Sequence, residues 1–541
     1  MFPRAHRALI SAGVAMLAYS IAGAASPVPG DPIAIASGKV AGTVLENGVH
    51  ADLGIPFAEP PVGALRWHEP AAVKPWAGVY DASAPKPACA QRGPANRPAG
   101  EAAEKYSEDC LYLNVWTPPT AKRGARLPVV VFIHGGGFSG GSPSYPAYSG
   151  AELAKKGVVT VNLAYRLGVL GYFALPELTR ESGHNASGDW GSLDQIAALK
   201  WIAHNIAAFG GNPANVTVMG HSAGSESVYQ LQASPLARGL FAKVSGWSGA
   251  DLAPGGQVPR TLAEGEAMGL KIEELTQTKS LAALRELPWQ QILTTLNPQA
   301  GMGGPLQTRP IVDGYFLPDA PDRIFKAGKQ NDVPLYASST REDLGSAMTF
   351  YDSVHTVAEL HAAATAAFGE AADEFLTLFP AATDEQARAV ALTVSGDTGF
   401  GIANRDWARD QASTGKQPVF LVQWEHVPPP DRSGRPAPAM FDRGPSHGSD
   451  IPYWLGTYVY NHNRAYDDWD RELSNQMQDT LIAFARSNNP STSAVKVPRY
   501  DPRDEQRTVF GDTIYIERLN TAQLEFLRAH APKRSRGGAA P

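Results

Sequence analysis

From residue 127 onward the chain repeats one texture. Short runs of consecutive apolar, largely β-branched residues alternate with stretches in which apolar positions recur every three or four. The runs cover residues 127–133, 158–163, 216–219, 243–247, 333–338 and 418–424. A strand that is apolar on both sides must be covered on both sides, so these runs predict the inner strands of a mostly parallel sheet. Between them, residues 192–209 place Leu193, Ile196, Ala197, Leu199, Ile202 and Ile206 at helical spacing. Strands of this kind alternating with helices predict an α/β fold, with helices on both faces of a large central sheet. Upstream, residues 33–54 alternate apolar with small or polar residues, as short antiparallel strands do. Residues 60–98, rich in Pro, Ala and Trp, read as irregular surface. Residues 354–392 and 469–486 read as helical regions that cap or close the sheet, and 529–541, basic and then Gly/Ala, as a disordered tail. There are no internal repeats and no long linker.

The first residues have a different pattern. Arg4, His6 and Arg7 precede an apolar stretch over residues 8–22, followed by the small-residue cleavage sites Ala22-Gly23-Ala24 and Gly23-Ala24-Ala25. This is the pattern of a secretory signal peptide over residues 1–24, and it predicts a periplasmic or secreted protein. The rival reading, a membrane anchor, suits a longer apolar stretch than this one, which Ser11, Gly13 and Ser20 interrupt. No other apolar run approaches the ~20 residues of a membrane span, so no stable span is expected.

Composition narrows the function classes. The chain has 541 residues, 43% of them hydrophobic, which supports a sizeable core. Lys and Arg number 47 against 53 Asp and Glu, a net charge of −6, so nucleic acid is not an expected partner. Cys89 and Cys110 are the only cysteines. In an exported chain such a pair reads most simply as one disulfide, and its spacing is not that of a C-x-x-C redox or zinc site. A lone nucleophilic cysteine is the alternative.

Two motifs carry chemistry. Gly220-His221-Ser222-Ala223-Gly224 follows the 216–219 run and precedes a helical pattern over 225–231. A G-x-S-x-G between strand and helix is a nucleophile elbow, a tight turn that lifts the serine hydroxyl above the sheet edge. His221 is not the base, because side chains at adjacent positions of such a turn diverge. His134-Gly135-Gly136-Gly137-Phe138 directly follows the 127–133 run. Glycines there let backbone N–H groups approach the negative charge that builds on a carbonyl oxygen during acyl transfer, and the N–H of Ala223 adds to them.

Further stretches match one family. They are Ser107-Glu108-Asp109-Cys110-Leu111-Tyr112-Leu113-Asn114, Tyr165-Arg166-Leu167-Gly168-Val169-Leu170-Gly171-Tyr172, and Leu193-Asp194-Gln195 leading through Trp201 to Asn205-Ile206-Ala207-Ala208-Phe209-Gly210-Gly211-Asn212-Pro213. Over roughly residues 33–512 the chain resembles the type-B carboxylesterases, the group that contains bacterial para-nitrobenzyl esterases and the cholinesterases. The resemblance implies an α/β-hydrolase fold and a small-molecule ester substrate. It also implies hydrolysis by a Ser, acid, His triad in that chain order, with no cofactor and no metal. It makes Gly136, Gly137 and Ala223 the oxyanion donors, pairs Cys89 with Cys110, and matches Glu108 and Arg166 to a structural ion pair.

A serine hydroxyl needs a histidine to take its proton. Among His355, His361, His426, His447, His462 and His530, position favours two. His447 lies in Gly444-Pro445-Ser446-His447-Gly448-Ser449-Asp450-Ile451-Pro452-Tyr453, a glycine-flanked loop after the 418–424 run, and His426 ends that run. The family's H-G-x-E/D-x-P-Y motif selects His447. For the acid, Ser339-Thr340-Arg341-Glu342-Asp343-Leu344 aligns without gaps to the family motif, with Asp343 on the catalytic position and Glu342 beside it. The departures are Asp for Glu and Leu344 for Gly. Asp is one methylene shorter, so its loop has to approach His447 more closely.

Phe138, Trp247, Phe350, Tyr351 and Trp454 are candidate pocket walls, and Gly301-Met302-Gly303-Gly304 a candidate rim loop. Substrate size, stereochemistry and oligomeric state have no signature here. Two further readings stand beside a general esterase. One is a specialised hydrolase of a bulky natural-product or xenobiotic ester, such as a mycotoxin ester, or of a carbamate or amide. The other is a non-catalytic binding protein on the same fold. Length alone, at ~100–200 residues per domain, suggests several domains. However, residues 222, 343 and 447 must converge, which predicts one catalytic unit over residues 25–528.

Overall fold

A computed structural model describes residues 31–93, 105–122, 124–250, 259–296, 306–343, 354–432 and 444–530. The signal segment, Leu344, Phe350, Tyr351, the 301–304 loop and residues 531–541 lie outside them.

The central sheet has eleven strands. In chain order they are β1 (Thr43–Val44), β2 (His50–Pro56), β3 (Tyr112–Thr117), β4 (Leu127–Ile133), β5 (Val159–Leu163), β6 (Gly211–His221), β7 (Lys243–Trp247), β8 (Leu335–Thr340), β9 (Val419–Trp424), β10 (Gln506–Phe510) and β11 (Ile514–Arg518). Their spatial order is β11-β10-β9-β8-β7-β6-β4-β5-β3-β2-β1. The run from β10 to β5 is parallel throughout, and antiparallel strands close both edges. A separate three-stranded sheet joins Ile33–Ile35, Gly38–Ala41 and Val79–Asp81.

Side chains alternate across a strand, so an inner strand such as β4 feeds two cores. Val129, Val131 and Ile133 of β4 join one apolar cluster, while Val130 and Phe132 join the other. The first cluster is covered by helices α1 (Trp190–Asn205), α2 (Ala223–Ala233), α3 (Asp384–Gly396) and α4 (Ile402–Thr414), the second by α5 (Asp468–Ser487). On α5, Leu473, Met477, Leu481 and Phe484 form the buried stripe. The α/β fold expected from the alternating pattern is the fold observed. No helix among the described residues is long and apolar enough to cross a membrane.

The strand that leads to Asp343 runs later than its apolar residues suggest, over Leu335–Thr340 rather than 333–338. Pro334 has no N–H to give the ladder and serves only as acceptor to Val244 N. At the other end Ser338, Ser339 and Thr340 are polar yet buried, paired with Val422, Gln423 and Trp424 of β9.

The expected Glu108–Arg166 ion pair does not form. Glu108 pairs with Arg66 at 2.5 Å, and Arg166 pairs with Asp194 of α1 at 2.7 Å. Asp194 also accepts from the backbone N of Arg166, so one carboxylate meets both the chain and the guanidinium of Arg166 in a fork. Arg66 is used differently, donating to the carbonyls of Arg285 and Leu287 as well as to Glu108. Asp194 is fully buried, and burial pushes its carboxyl upward against the pull of Arg166. Arg166→Met would strand that carboxylate, and an unfolding free energy lower by about 3–5 kcal/mol is expected in denaturant titration.

Candidate active site

Three strand ends and one loop come together: the carboxyl ends of β4, β6 and β8, and the loop beyond β9. Ligands of open α/β sheets bind at such carboxyl ends. At the end of β6 the chain turns sharply through Ser222, with φ 56° and ψ −126°, directly into α2. A non-glycine residue held there costs of order 1–3 kcal/mol and persists only when its surroundings impose it. They do so here: Ser222 N donates to Trp247 O at 2.9 Å, and Ser222 O accepts from Glu226 N at 2.9 Å. Close approach of the chain requires Gly224, where a Cβ would collide with the carbonyl of Ile133 and lie 2.9 Å from that of His134. Within a buried turn Ser222 keeps partial exposure.

The glycine loop lies against the same serine. A Cβ on Gly135 would fall 2.9 Å from Ser222 Cβ. Gly136 and Gly137 have φ of +114° and +61°, conformations that turn their amides and that side chains disfavour. The loop is anchored from several sides. Tyr165 Oη donates to His134 O at 2.9 Å, Gln307 Nε2 to Gly137 O at 3.2 Å, and Gly168 N to Phe138 O at 2.6 Å. Gln91 clamps its far end, accepting from Gly141 N and donating to Gly141 O, and donates as well to Cys89 O. Cys89 and Cys110 are joined in a disulfide. His134 is buried and held neutral, its imidazole pulled down to about 4 by burial, and it stacks on Tyr165.

Beyond β8, Asp343 is fully buried and its Oδ1 lies 2.6 Å from Nδ1 of His447. Its Oδ2 accepts from Thr340 N, which fixes the carboxylate. Glu342, the neighbouring candidate, has a different setting. Its backbone N donates to Pro445 O, and its backbone O accepts from Thr340 Oγ1, so it ties the acid loop to the His447 loop. The shortened side chain at 343 therefore reaches His447 because the two loops are bridged one residue earlier. The ring of His447 sits 4.5 Å from that of His221 and 5.6 Å from that of Phe400. His221 is buried and kept well below the ordinary imidazole range, first by burial and then by His447.

His426 is held elsewhere, with Nε2 2.9 Å from Asp470 and Nδ1 2.7 Å from Asp512. The aromatic candidates are also corrected: Trp247 and Trp454 stack on one another in the core, and Phe138 is buried beneath the guanidinium of Arg309. Phe400 is the aromatic that meets His447. It lies on a single π-helical turn, Asp397–Gly401, between α3 and α4, a distortion frequent at functional sites. Its sequence neighbourhood, Asp397-Thr398-Gly399-Phe400-Gly401, carries no motif.

Asp450 is a further buried acid here. Its carboxyl is pushed up to about 7 by burial, with the Asp343 charge adding to the rise, and Trp454 Nε1 donates to Oδ2. An acid raised in this way stabilises the fold while it is protonated. That contribution is complete below the ordinary carboxyl range, near 3.8, and is lost as pH climbs through about 7. Asp450→Asn is expected to remove this pH dependence. Paired denaturation midpoints should show the wild type losing ground to the variant across that interval, and parallel curves would contradict it.

The chain is similar to known proteins over nearly its whole length. The model of the carboxylesterase family matches residues 31–527. A fumonisin B1 esterase from Sphingopyxis macrogoltabida is 34% identical, covering 94% of this chain and 93% of its own. A para-nitrobenzyl esterase from Bacillus subtilis (strain 168) is 32% identical, covering 89% of this chain and 94% of its own. A solved PNB esterase structure superposes with a TM-score of 0.73 at 31% identity, over 92% of this chain and 99% of that one. The match begins before the first strand and ends within the last helix, so the chain belongs to the carboxylesterase family and is a serine hydrolase of carboxylic esters, with the α/β-hydrolase fold.

Proposed function

We propose that Ser222, His447 and Asp343 are the catalytic triad, with the amides of Gly136, Gly137 and Ala223 as oxyanion donors. The observation that carries this reading is the 2.6 Å Asp343–His447 contact beside the strained Ser222 turn. Asp343 accepts a hydrogen bond from Nδ1–H of His447, which fixes the tautomer with Nε2 free to act as base. Nε2 takes the Ser222 hydroxyl proton as Oγ attacks the ester carbonyl carbon. The carbonyl π electrons move onto oxygen, where the glycine amides and the N-terminus of α2 stabilise them. As the tetrahedral intermediate collapses, the C–O bond to the alcohol breaks, and the imidazolium gives its proton to the departing oxygen. A water molecule, deprotonated by Nε2, then attacks the acyl-serine. The second collapse returns the proton to Oγ and releases the carboxylic acid.

The non-catalytic alternative makes the opposite prediction for covalent chemistry. A fluorophosphonate should form a single adduct on Ser222, seen by peptide mass spectrometry, and absence of labelling on folded protein would favour a binding module. The substrate reading extends to bulky natural-product esters, supported by the 34% identity to a fumonisin B1 esterase across nearly the full length of both chains. A panel crossing acyl size with alcohol bulk tests it. If short, simple esters were turned over best, a general esterase would be favoured. We further propose export: residues 1–24 act as a cleaved signal, and residues 25–528 form one catalytic unit. The Cys89–Cys110 disulfide supports an oxidising destination.

A further inference from the structure

At the far edge of the sheet, His50 and Asp52 lie two residues apart on β2 and so project from the same face. Asp31, just ahead of the small N-terminal sheet, meets them there. His50 Nε2 is 3.6 Å from Asp31 Oδ2 and 3.6 Å from Asp52 Oδ2, and one donor atom from each residue falls within 4.8 Å of the others. The side chains are 8%, 13% and 0% exposed for Asp31, His50 and Asp52. Among the described residues, neither oxygen of Asp52 has a hydrogen-bond partner, and neither Asp31 Oδ1 nor His50 Nε2 has one. Gly42 leaves the space this carboxylate fills, since a Cβ there would lie 2.7 Å from Asp52 Oδ1.

A fully buried carboxylate with no donor is expensive, and native proteins leave very few of them. The separations explain this one. At 3.6 Å the imidazole nitrogen is too far for a hydrogen bond to either carboxylate. The same spacing is close to the ~3.4 Å edge of a tetrahedron built on metal–ligand bonds of about 2.0–2.1 Å. We propose that Asp31, His50 and Asp52 form a structural zinc site, in which one imidazole nitrogen and two carboxylate oxygens hold a single Zn²⁺ and water completes the coordination. An imidazole donor among so few oxygens selects zinc over magnesium or calcium, which require six or more oxygen ligands. The ion would neutralise the buried carboxylates and tie the segment preceding the small sheet to the edge of the large one. None of its ligands belongs to the Ser222 site, so this inference does not depend on the proposed triad.

The test uses full-length mature protein, stripped with a chelator and then dialysed against zinc chloride. Elemental analysis should find one zinc per chain, and the thermal midpoint should rise by about 2–4 °C over the stripped protein at saturating metal. Asp52→Asn replaces the unpaired carboxylate by a neutral isostere, so it should fold, yet retain no stoichiometric zinc and show no rise. His50→Gln should behave in the same way. Substoichiometric zinc in the wild type, or equal binding and equal stabilisation in both variants, would overturn the site.

Discussion

Ser222→Ala should lower kcat by about 10⁶ while leaving the thermal midpoint within a degree or so of the wild type. Nothing else at the turn can replace the hydroxyl. His221 points into the core against His447, and Ala223 offers only its amide. The residual rate would come from the oxyanion donors and substrate binding alone, which elsewhere still exceed the rate in water by about 10³–10⁴. Removing Oγ also takes away an atom from a site of partial exposure rather than from the packed core, so little stability is lost. Stopped assays on high protein concentrations, together with loss of fluorophosphonate labelling, check both halves. A variant with wild-type turnover would remove Ser222 from the mechanism.

Asp343→Asn comes next in size, with an expected loss of about 10⁴ in kcat. The amide can offer an N–H where the carboxylate accepted one, which favours the imidazole tautomer with Nε2 protonated and so unable to take the serine proton. The comparison that gives the result its meaning is Glu342→Gln. Two contacts of Glu342 run through its backbone to Pro445 and Thr340 and survive the substitution, and Gln keeps the size and shape of the side chain, so its kcat should stay within a few-fold of the wild type. If Glu342→Gln were instead the inactive member of the pair, the acid would be misassigned by one residue.

Residues 222, 447 and 343 were legible in the sequence to different degrees, for reasons of chemistry. The serine turn and the glycine loop need particular residue types at fixed offsets within one short segment, so their sequence carries the geometry. The proposed acid is read through register alone, and β8 itself runs later than its apolar residues suggest, because Ser338, Ser339 and Thr340 are buried by pairing with β9 rather than by apolarity. Arg166 is a residue whose partner the local sequence does not carry. Its partner is chosen by which carboxylate can meet both its backbone N–H and its guanidinium, and Asp194 is brought there by α1, which no local pattern reports. Phe400, Gln91 and Gln307 were unreadable for the same reason. Each acts through a contact between segments that are far apart in the chain, and none sits in a motif. In sequence an aromatic near a motif looks the same whether it faces a ligand or the core; Trp247 and Trp454, candidate walls, take the commoner fate and stack in the core.

The Gln91 clamp gives the disulfide a second meaning. One carboxamide holds both the carbonyl of Cys89 and the end of the glycine loop at Gly141. On the proposed oxyanion assignment, the crosslink fixes the base of the strut that aims the Gly136 and Gly137 amides, and a hole misaimed by an ångström forfeits most of its preorganisation. Oxidation of Cys89 and Cys110 would then act as a maturation step. A chain that is folded but still reduced would bind ester with a loosely held oxyanion loop, and would reach full turnover only after its thiols had been joined. Hydrolytic power would in this way be withheld until the chain arrives where disulfides form.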